Sequence, residues 1–295
     1  MSTGKQRAAD GVSGEYAPAP ADHPFLRPSG RGLDGIDPLG EVERRQQAAL
    51  IHAGELVSVH SWELVTAVDG PGTRMTTFFQ GCPLACLYCH NPDTLDMRRG
   101  TLVPTDELCQ RMYRYRRIFK RTGGGITLSG GEPLMQPRGI ARILEFAKEN
   151  KIHTALDTSG FLGWRCTDEM LDNLGLVLLD IKSGIPETYR RTTKQDLAPT
   201  LEFARRLAQR QVPVWVRFVL VPGLTDAPEN VEKVAKIAAS IPSVERVEVL
   251  PFHQMGRDKW EALGLTYQLD GTPTPTVEET AAVRDIFKSH GLTVY

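Results

Sequence analysis

Three of the chain's five cysteines fall within eight residues, in Cys82-Pro83-Leu84-Ala85-Cys86-Leu87-Tyr88-Cys89. Thiolates are soft ligands that suit zinc and iron–sulfur clusters. A closed structural zinc site takes four ligands, typically as two separated pairs. Here the spacing is Cys-x3-Cys-x2-Cys, and Cys109 and Cys166 stand alone. Three thiolates on a cubane [4Fe–4S] cluster leave one iron without a protein ligand, and a small molecule can chelate it. Fortuitous clustering and zinc remain the competing readings of the spacing.

A second set of chemistry-bearing residues follows short apolar runs: Gly130-Gly131-Glu132, Asp157-Thr158, Asp180-Ile181-Lys182 and Pro251-Phe252-His253. Turn and cap chemistry explains any one of these well and all four together poorly. Gly130 and Gly131 lack a Cβ, so a ligand can approach their backbone closely. Asp180 and Lys182, two apart, point the same way from a strand, although an isolated Asp-x-Lys is usually a surface ion pair. Arg217, in Trp215-Val216-Arg217-Phe218, is a charge inside a strand pattern and is expected to face an interior.

The elements that must position these groups alternate from about residue 56 onward. Strands are expected at 75–79, 126–129, 153–157, 176–181, 214–221, 244–251 and 292–295, with helices near 105–119, 137–149, 167–173, 196–210, 228–240 and 277–289. Strands separated by helices imply βαβ units and a parallel sheet. Some six consecutive units fit an α/β fold of the partial (β/α)6 TIM-like barrel kind, in which chemistry sits at the C-terminal ends of the strands. Residues 1–55, rich in Gly, Pro and Ala at first, are expected to be a flexible N-terminal extension with a short helix at 41–53, and 56–295 a single domain.

Bulk composition is ordinary: 295 residues, 41% hydrophobic and 24% charged, with 35 basic against 36 acidic side chains. That balance supplies no electrostatic reason for a nucleic-acid partner. The run from Arg111 to Arg117 mixes aromatics with cations but reads as a solvated helix face. No apolar run of membrane-spanning length occurs, the first residues lack a secretory pattern, and five cysteines make no disulfide framework. A cytoplasmic chain is expected.

Cys82-x3-Cys86-x2-Cys89, with Tyr88 before the third cysteine and Ser129-Gly130-Gly131-Glu132-Pro133 downstream, resembles the signature of the radical S-adenosylmethionine (SAM) superfamily. Val68-Asp69-Gly70-Pro71-Gly72-Thr73-Arg74, Phe78-Phe79-Gln80-Gly81-Cys82 and Cys89-His90-Asn91-Pro92-Asp93-Thr94 are similar to the activases of glycyl radical enzymes. So are His153–Gly160, Leu178–Lys182 and Leu250–Gly256. The resemblance covers about residues 56–295. Only Cys109 lies between Cys89 and Gly130, so the cysteine-rich insert of many other activases is missing, which favours the pyruvate formate-lyase type.

The resemblance implies one [4Fe–4S] cluster on Cys82, Cys86 and Cys89, with SAM on the remaining iron. It brings Tyr88, Cys89, His90, Gly130, Gly131, Glu132, Asp180, Ile181, Lys182, Arg217 and His253 toward SAM. For several of these a plainer role stands beside it. His90 reads equally as loop packing, His253 as a core histidine, and Glu132 either accepts from the SAM ammonium or stabilises its loop. It also implies a monovalent cation at Asp157, Thr158 and Asp180, and places Asp69, otherwise a turn residue, against a substrate protein. The implied partners are pyruvate formate-lyase and a flavodoxin or ferredoxin that donates the electron, with the chain itself a monomer. A radical SAM enzyme acting on a small molecule and a zinc-binding protein without catalysis are the alternatives.

Overall fold

The computed structural model describes residues 31–32, 44–66 and 68–295. Its sheet is built from β1 (Arg31–Gly32), β2 (Leu56–Thr66), β3 (Arg74–Phe79), β4 (Thr101–Pro104), β5 (Gly125–Gly130), β6 (His153–Thr158), β7 (Leu176–Asp180), β8 (Val214–Leu220) and β9 (Val244–Pro251). The order is β1-β2-β3-β5-β6-β7-β8-β9, with β4 paired to β2. Strands β3 and β5 to β9 run parallel; β1, β2 and β4 add an antiparallel flank. The sheet does not close into a barrel. The six parallel strands match the partial barrel expected.

Helices α1 (Arg44–Ala53), α2 (Thr105–Arg114), α3 (Arg116–Thr122), α4 (Pro137–Glu149), α5 (Asp168–Asp172), α6 (Pro186–Thr193), α7 (Ala198–Arg210), α8 (Pro228–Ala239), α9 (Arg257–Ala262) and α10 (Val277–Ser289) complete the described elements. The local reasons are ordinary ones. In α4, a proline occupies the first turn and Ile140, Ile143, Leu144 and Ala147 recur at helical spacing on the buried face. A capping box between Thr276 and Glu279 starts α10. Strand β7, Leu-Val-Leu-Leu-Asp, stays apolar until its last residue because both of its faces are buried.

That last residue matters for the site. Ala155, Leu176, Leu178 and Trp215 form a small apolar cluster separate from the main core. Two residues further along the same strands, hence on the same face, stand Asp157, Asp180 and Arg217. Asp180 pairs in register with Arg217, which pairs with Glu248. The sheet interior is therefore an apolar floor beneath a charged layer.

Three differences from the expected elements have local causes. The antiparallel β2 was not anticipated as a strand, although Val57, Val59 and Trp62 are buried. The helix near 105–119 breaks at Tyr115 into α2 and α3. The strand expected at 292–295 shrinks to a short ladder on β9: Val247 N donates to Thr293 O at 2.8 Å and Tyr295 N to Val247 O at 2.9 Å. Within the stretch expected as an arm, β1 pairs with Glu63 and Trp62 of β2. Gly54, after α1, lies so close to α4 that a Cβ there would stand 2.7 Å from the Arg138 carbonyl carbon. Residues 1–30 and 33–43 of that stretch fall outside the described residues. Among the described residues, no helix is long and apolar enough to cross a membrane.

Candidate functional site

Strand β3 runs out through buried Phe79, Gln80 and Gly81 into the cysteine loop. Gly81 N donates to Thr94 O at 2.7 Å and Cys82 N to Leu95 O at 3.2 Å. From the other side, Ala85 N donates to Thr193 O and Leu87 N to Thr192 O, both at 2.9 Å. Gln195 Nε2 donates to Pro83 O at 2.7 Å. The loop is thus pinned between the segment after it and the turn from α6 to α7. Cys82, Cys86 and Cys89 all line one cavity of about 830 Å³ at the C-terminal ends of the parallel strands. Burial pushes the Cys82 thiol well up, with Cys86 adding to it, and takes Cys89 to about 12. Burial also raises Cys86, opposed by Lys182. Cys109 and Cys166 are buried elsewhere.

The glycine pair is a close-packed joint. Gly130 has φ +113°, and a Cβ on Gly131 would stand 2.3 Å from Gly81 O. Glu132 N donates to that same oxygen at 2.8 Å. The Glu132 carboxylate is not among the cavity-lining groups. It accepts from the Thr158 hydroxyl at 2.8 and 2.9 Å, from the Ser159 hydroxyl at 2.7 Å and from Ser159 N at 3.1 Å. Burial pushes its carboxyl up, and the Ser159 and Thr158 bonds pull it back. Of its two expected roles, this geometry is that of a bolt between β5 and β6. Ile181 is likewise buried away from the cavity.

The remaining expected residues converge on the cavity: Tyr88, His90, Asp157, Thr158, Asp180, Lys182, Arg217, His253 and Asp69. Lys182 Nζ donates to Asp180 Oδ2 at 2.7 Å and stands 5.7 Å from the Tyr88 ring centre. Burial works against its ammonium, but Asp180, Tyr88 and Cys86 together outweigh it and raise its proton affinity. Arg217 Nη1 lies 3.1 Å from Asp157 Oδ1, and Asp157 Oδ2 accepts from Ser129 at 2.6 Å. Burial raises the Asp157 carboxyl, with Arg217 opposing. The His90 and His253 rings stack at 4.2 Å; burial, then His253, lowers His90 to about 4. Asp69 Oδ2 accepts from Thr76 at 3.1 Å, beside Val68, which is 70% exposed.

The sequence reading missed Arg246 and Glu248, which join the cavity wall from β9 and pair with each other at 2.8 Å. The alternation in Val-Glu-Arg-Val-Glu-Val-Leu, which puts the two on one face, is the signal that could have found them.

Among the described residues, no three His, Cys, Asp or Glu side chains converge as a single ion would require. The donor chemistry nonetheless fits a cluster with a chelating ligand. Three soft sulfurs share one cavity, and a coordinated iron removes a thiol proton that burial would otherwise retain. Around them, Tyr88 Oη, Arg217 Nε and His253 Nδ1 are buried without hydrogen-bond partners. A ligand bearing an amino acid group and sugar hydroxyls supplies such partners. The cavity volume also lies within the roughly 300–1,000 Å³ of small-molecule sites, toward the upper end.

Residues 76–236 match the Radical SAM superfamily. The pyruvate formate-lyase 1-activating enzyme of Escherichia coli K12 is 39% identical over 235 residues, spanning 79% of this chain and 96% of that protein. The pyruvate formate-lyase-activating enzyme of Clostridium pasteurianum is 45% identical over 211 residues, 72% of this chain and 88% of that one. Among solved structures, a radical SAM methyltransferase from Sphaerobacter thermophilus shares the fold with a TM-score of 0.55 at 16% identity, over 88% of this chain and 76% of that one. The chain belongs to the radical SAM superfamily, whose members use a [4Fe–4S] cluster and SAM.

Proposed function

We propose that this chain activates a pyruvate formate-lyase by installing a glycyl radical on it. The observation that carries the reading is the 39% identity to the E. coli activase over 96% of that protein, joined to a cavity that gathers three thiols and an open sheet side. A [4Fe–4S] cluster held by Cys82, Cys86 and Cys89 would supply the electron for reductive cleavage of bound SAM, the chemistry that would remove a hydrogen atom from the glycine.

The chain's own residues hold, orient and shield. Cys82, Cys86 and Cys89 are the iron ligands. Gly130 and Gly131 let backbone meet the methionine part of SAM, and Glu132 fixes that joint from behind. Lys182 and Arg217 are cations for the SAM carboxylate and hydroxyls, with Asp157 and Asp180 facing the ammonium or a monovalent cation. Thr158 gives its hydroxyl to Glu132, which leaves its carbonyl for such a cation. Tyr88, His90 and His253 wall the nucleoside side. Asp69, with the exposed Val68 next to it, receives the glycine-bearing loop of the partner.

A flavodoxin or ferredoxin delivers the electron at the cysteine loop, because the other two cysteines lie apart from each other and from the cavity. The enzyme acts as a monomer in the cytoplasm, within anaerobic glucose metabolism. Anaerobic incubation with SAM, reductant and pyruvate formate-lyase, read by electron paramagnetic resonance, tests this. A glycyl doublet is expected; SAM cleavage that modifies only a small molecule refutes it.

A further inference from the structure

Three anchors hold the first part of the cysteine loop, at Pro83, Ala85 and Leu87. The third cysteine depends on a different element. The Trp260 indole N–H of α9 donates to Cys89 O at 2.9 Å. The neighbouring Lys259 Nζ donates to Asn91 Oδ1 at 2.9 Å and pairs with Asp93 Oδ2 at 2.9 Å. Asp93 is tied in turn to His60 of β2 at 2.9 Å. Just before α9, the chain passes so close that a Cβ on Gly256 would stand 2.9 Å from both Cys89 O and His90 Cα. Trp260 also packs in one apolar cluster with Leu87, Tyr88, Phe252, Tyr267 and Leu269. Gln254 Nε2 fastens the segment's end by donating to Leu269 O at 3.0 Å and Thr272 O at 2.9 Å.

We propose that the segment 254–272 is a strap across the third cysteine, with Trp260 and Lys259 as positioning residues that set Cys89 and His90 for SAM binding. The inference rests on the reading of Cys89 as an iron ligand. His90 is stacked on His253, and both line the cavity. A shift of the Cys89 carbonyl therefore moves the wall on which the nucleoside rests. The strap acts on affinity and cluster environment, through Cys89, rather than by touching SAM.

The test uses the full chain, reconstituted anaerobically, with W260F, K259M, K259R, E261Q and C89S. Iron and sulfide are counted, SAM binding is measured by equilibrium dialysis, and the reduced cluster is examined by electron paramagnetic resonance with and without SAM. One neutral hydrogen bond to a buried carbonyl predicts SAM binding weakened about 3- to 10-fold in W260F, with iron content retained and an altered spectral response to SAM. K259M is expected to behave likewise and K259R to recover most of the affinity. E261Q, which breaks only the exposed pair with Arg257, should match the wild type. Should W260F lose its helical circular dichroism, the two Lys259 variants decide alone. SAM affinity within twofold of wild type in both W260F and K259M, with unchanged spectra, overturns the strap, as does an equal loss in E261Q. Full iron retention in C89S instead overturns the ligand reading beneath it.

Discussion

Replacing Gly131 by alanine tests whether the joint between β5 and the cysteine loop sets the cluster's position. The added Cβ would stand 2.3 Å from Gly81 O, 2.8 Å from Gly81 C and 3.1 Å from Thr94 O, all backbone atoms. Unbonded carbon atoms rest at about 3.5–4.0 Å, so an opening of roughly 1 Å is needed. Gly81 has nowhere to retreat, since its N–H is fixed on Thr94 O at 2.7 Å. The displacement passes to Cys82. Overpacking of this kind costs about 1–3 kcal/mol, a Tm loss of about 2–12 °C for a domain of this size. A misplacement of about 1 Å at a reacting centre costs on the order of 100-fold in rate. The comparison is Gly123→Ala, where φ is +65° and nothing lies within 4 Å. Strain alone, about 1–2 kcal/mol, should appear there, with normal SAM cleavage. Iron content, Tm and 5′-deoxyadenosine formation are measured on both variants. G131A that holds full iron and cleaves SAM within threefold of wild type refutes the reasoning.

Other outcomes follow from the same structure. Cys86→Ser should lose the cluster on anaerobic reconstitution and Cys109→Ser should keep it; the reverse pattern of iron counts discards the ligand assignment. Burial, then Arg74, lowers the His153 imidazole, so the folded state binds fewer protons there than the unfolded chain. Its contribution is complete above the ordinary value near 6.5 and is lost as pH falls below it. Urea midpoints taken from about pH 7 to pH 5 should therefore fall less steeply in His153→Gln than in wild type, and equal slopes count against the assignment. Deleting residues 1–43 should leave SAM cleavage unchanged, because among the described residues none that lines the cavity precedes Val68. Deleting through Ala53 should lower Tm, because α1 and Gly54 pack beside α4; a stable shorter chain contradicts that packing.

The parallel strands were legible as short β-rich runs separated by helical patterns, and β5, β6 and β7 each end in a polar or glycine residue, as in Leu176–Asp180. The same feature placed Gly130, Asp157, Asp180 and His253 at strand ends. What escaped was whatever local pattern does not encode. Helices α6 and α9 are short and charge-rich, and each buries a single large side chain, Tyr189 in α6 and Trp260 in α9. The direction taken by Glu132 was open in the sequence as well. A carboxylate beside two glycines reads as a ligand group, and only the nearness of Thr158 and Ser159 turns it inward.

The contrast between motif and geometry has a physical source. Eight consecutive residues supply the three thiols, but the bonds that fix them reach far along the chain. Pro83 is held by a residue 112 positions away and Cys89 by one 171 positions away. Neither clamp exists until β7 and β9 have taken their places on either side of β8 and delivered α6 and α9 to the same end of the sheet. The cluster loop is thus a local sequence with a non-local shape. Ordering non-local contacts carries a loop-closure cost that grows only slowly with separation, so distance along the chain is a small obstacle to such a clamp. The requirement that matters is that the parallel strands end level with one another. Pairs such as Phe79 with Gly130 and Leu220 with Pro251 meet it, and the same alignment that brings the charged layer to the cavity brings the two clamps to the cysteines.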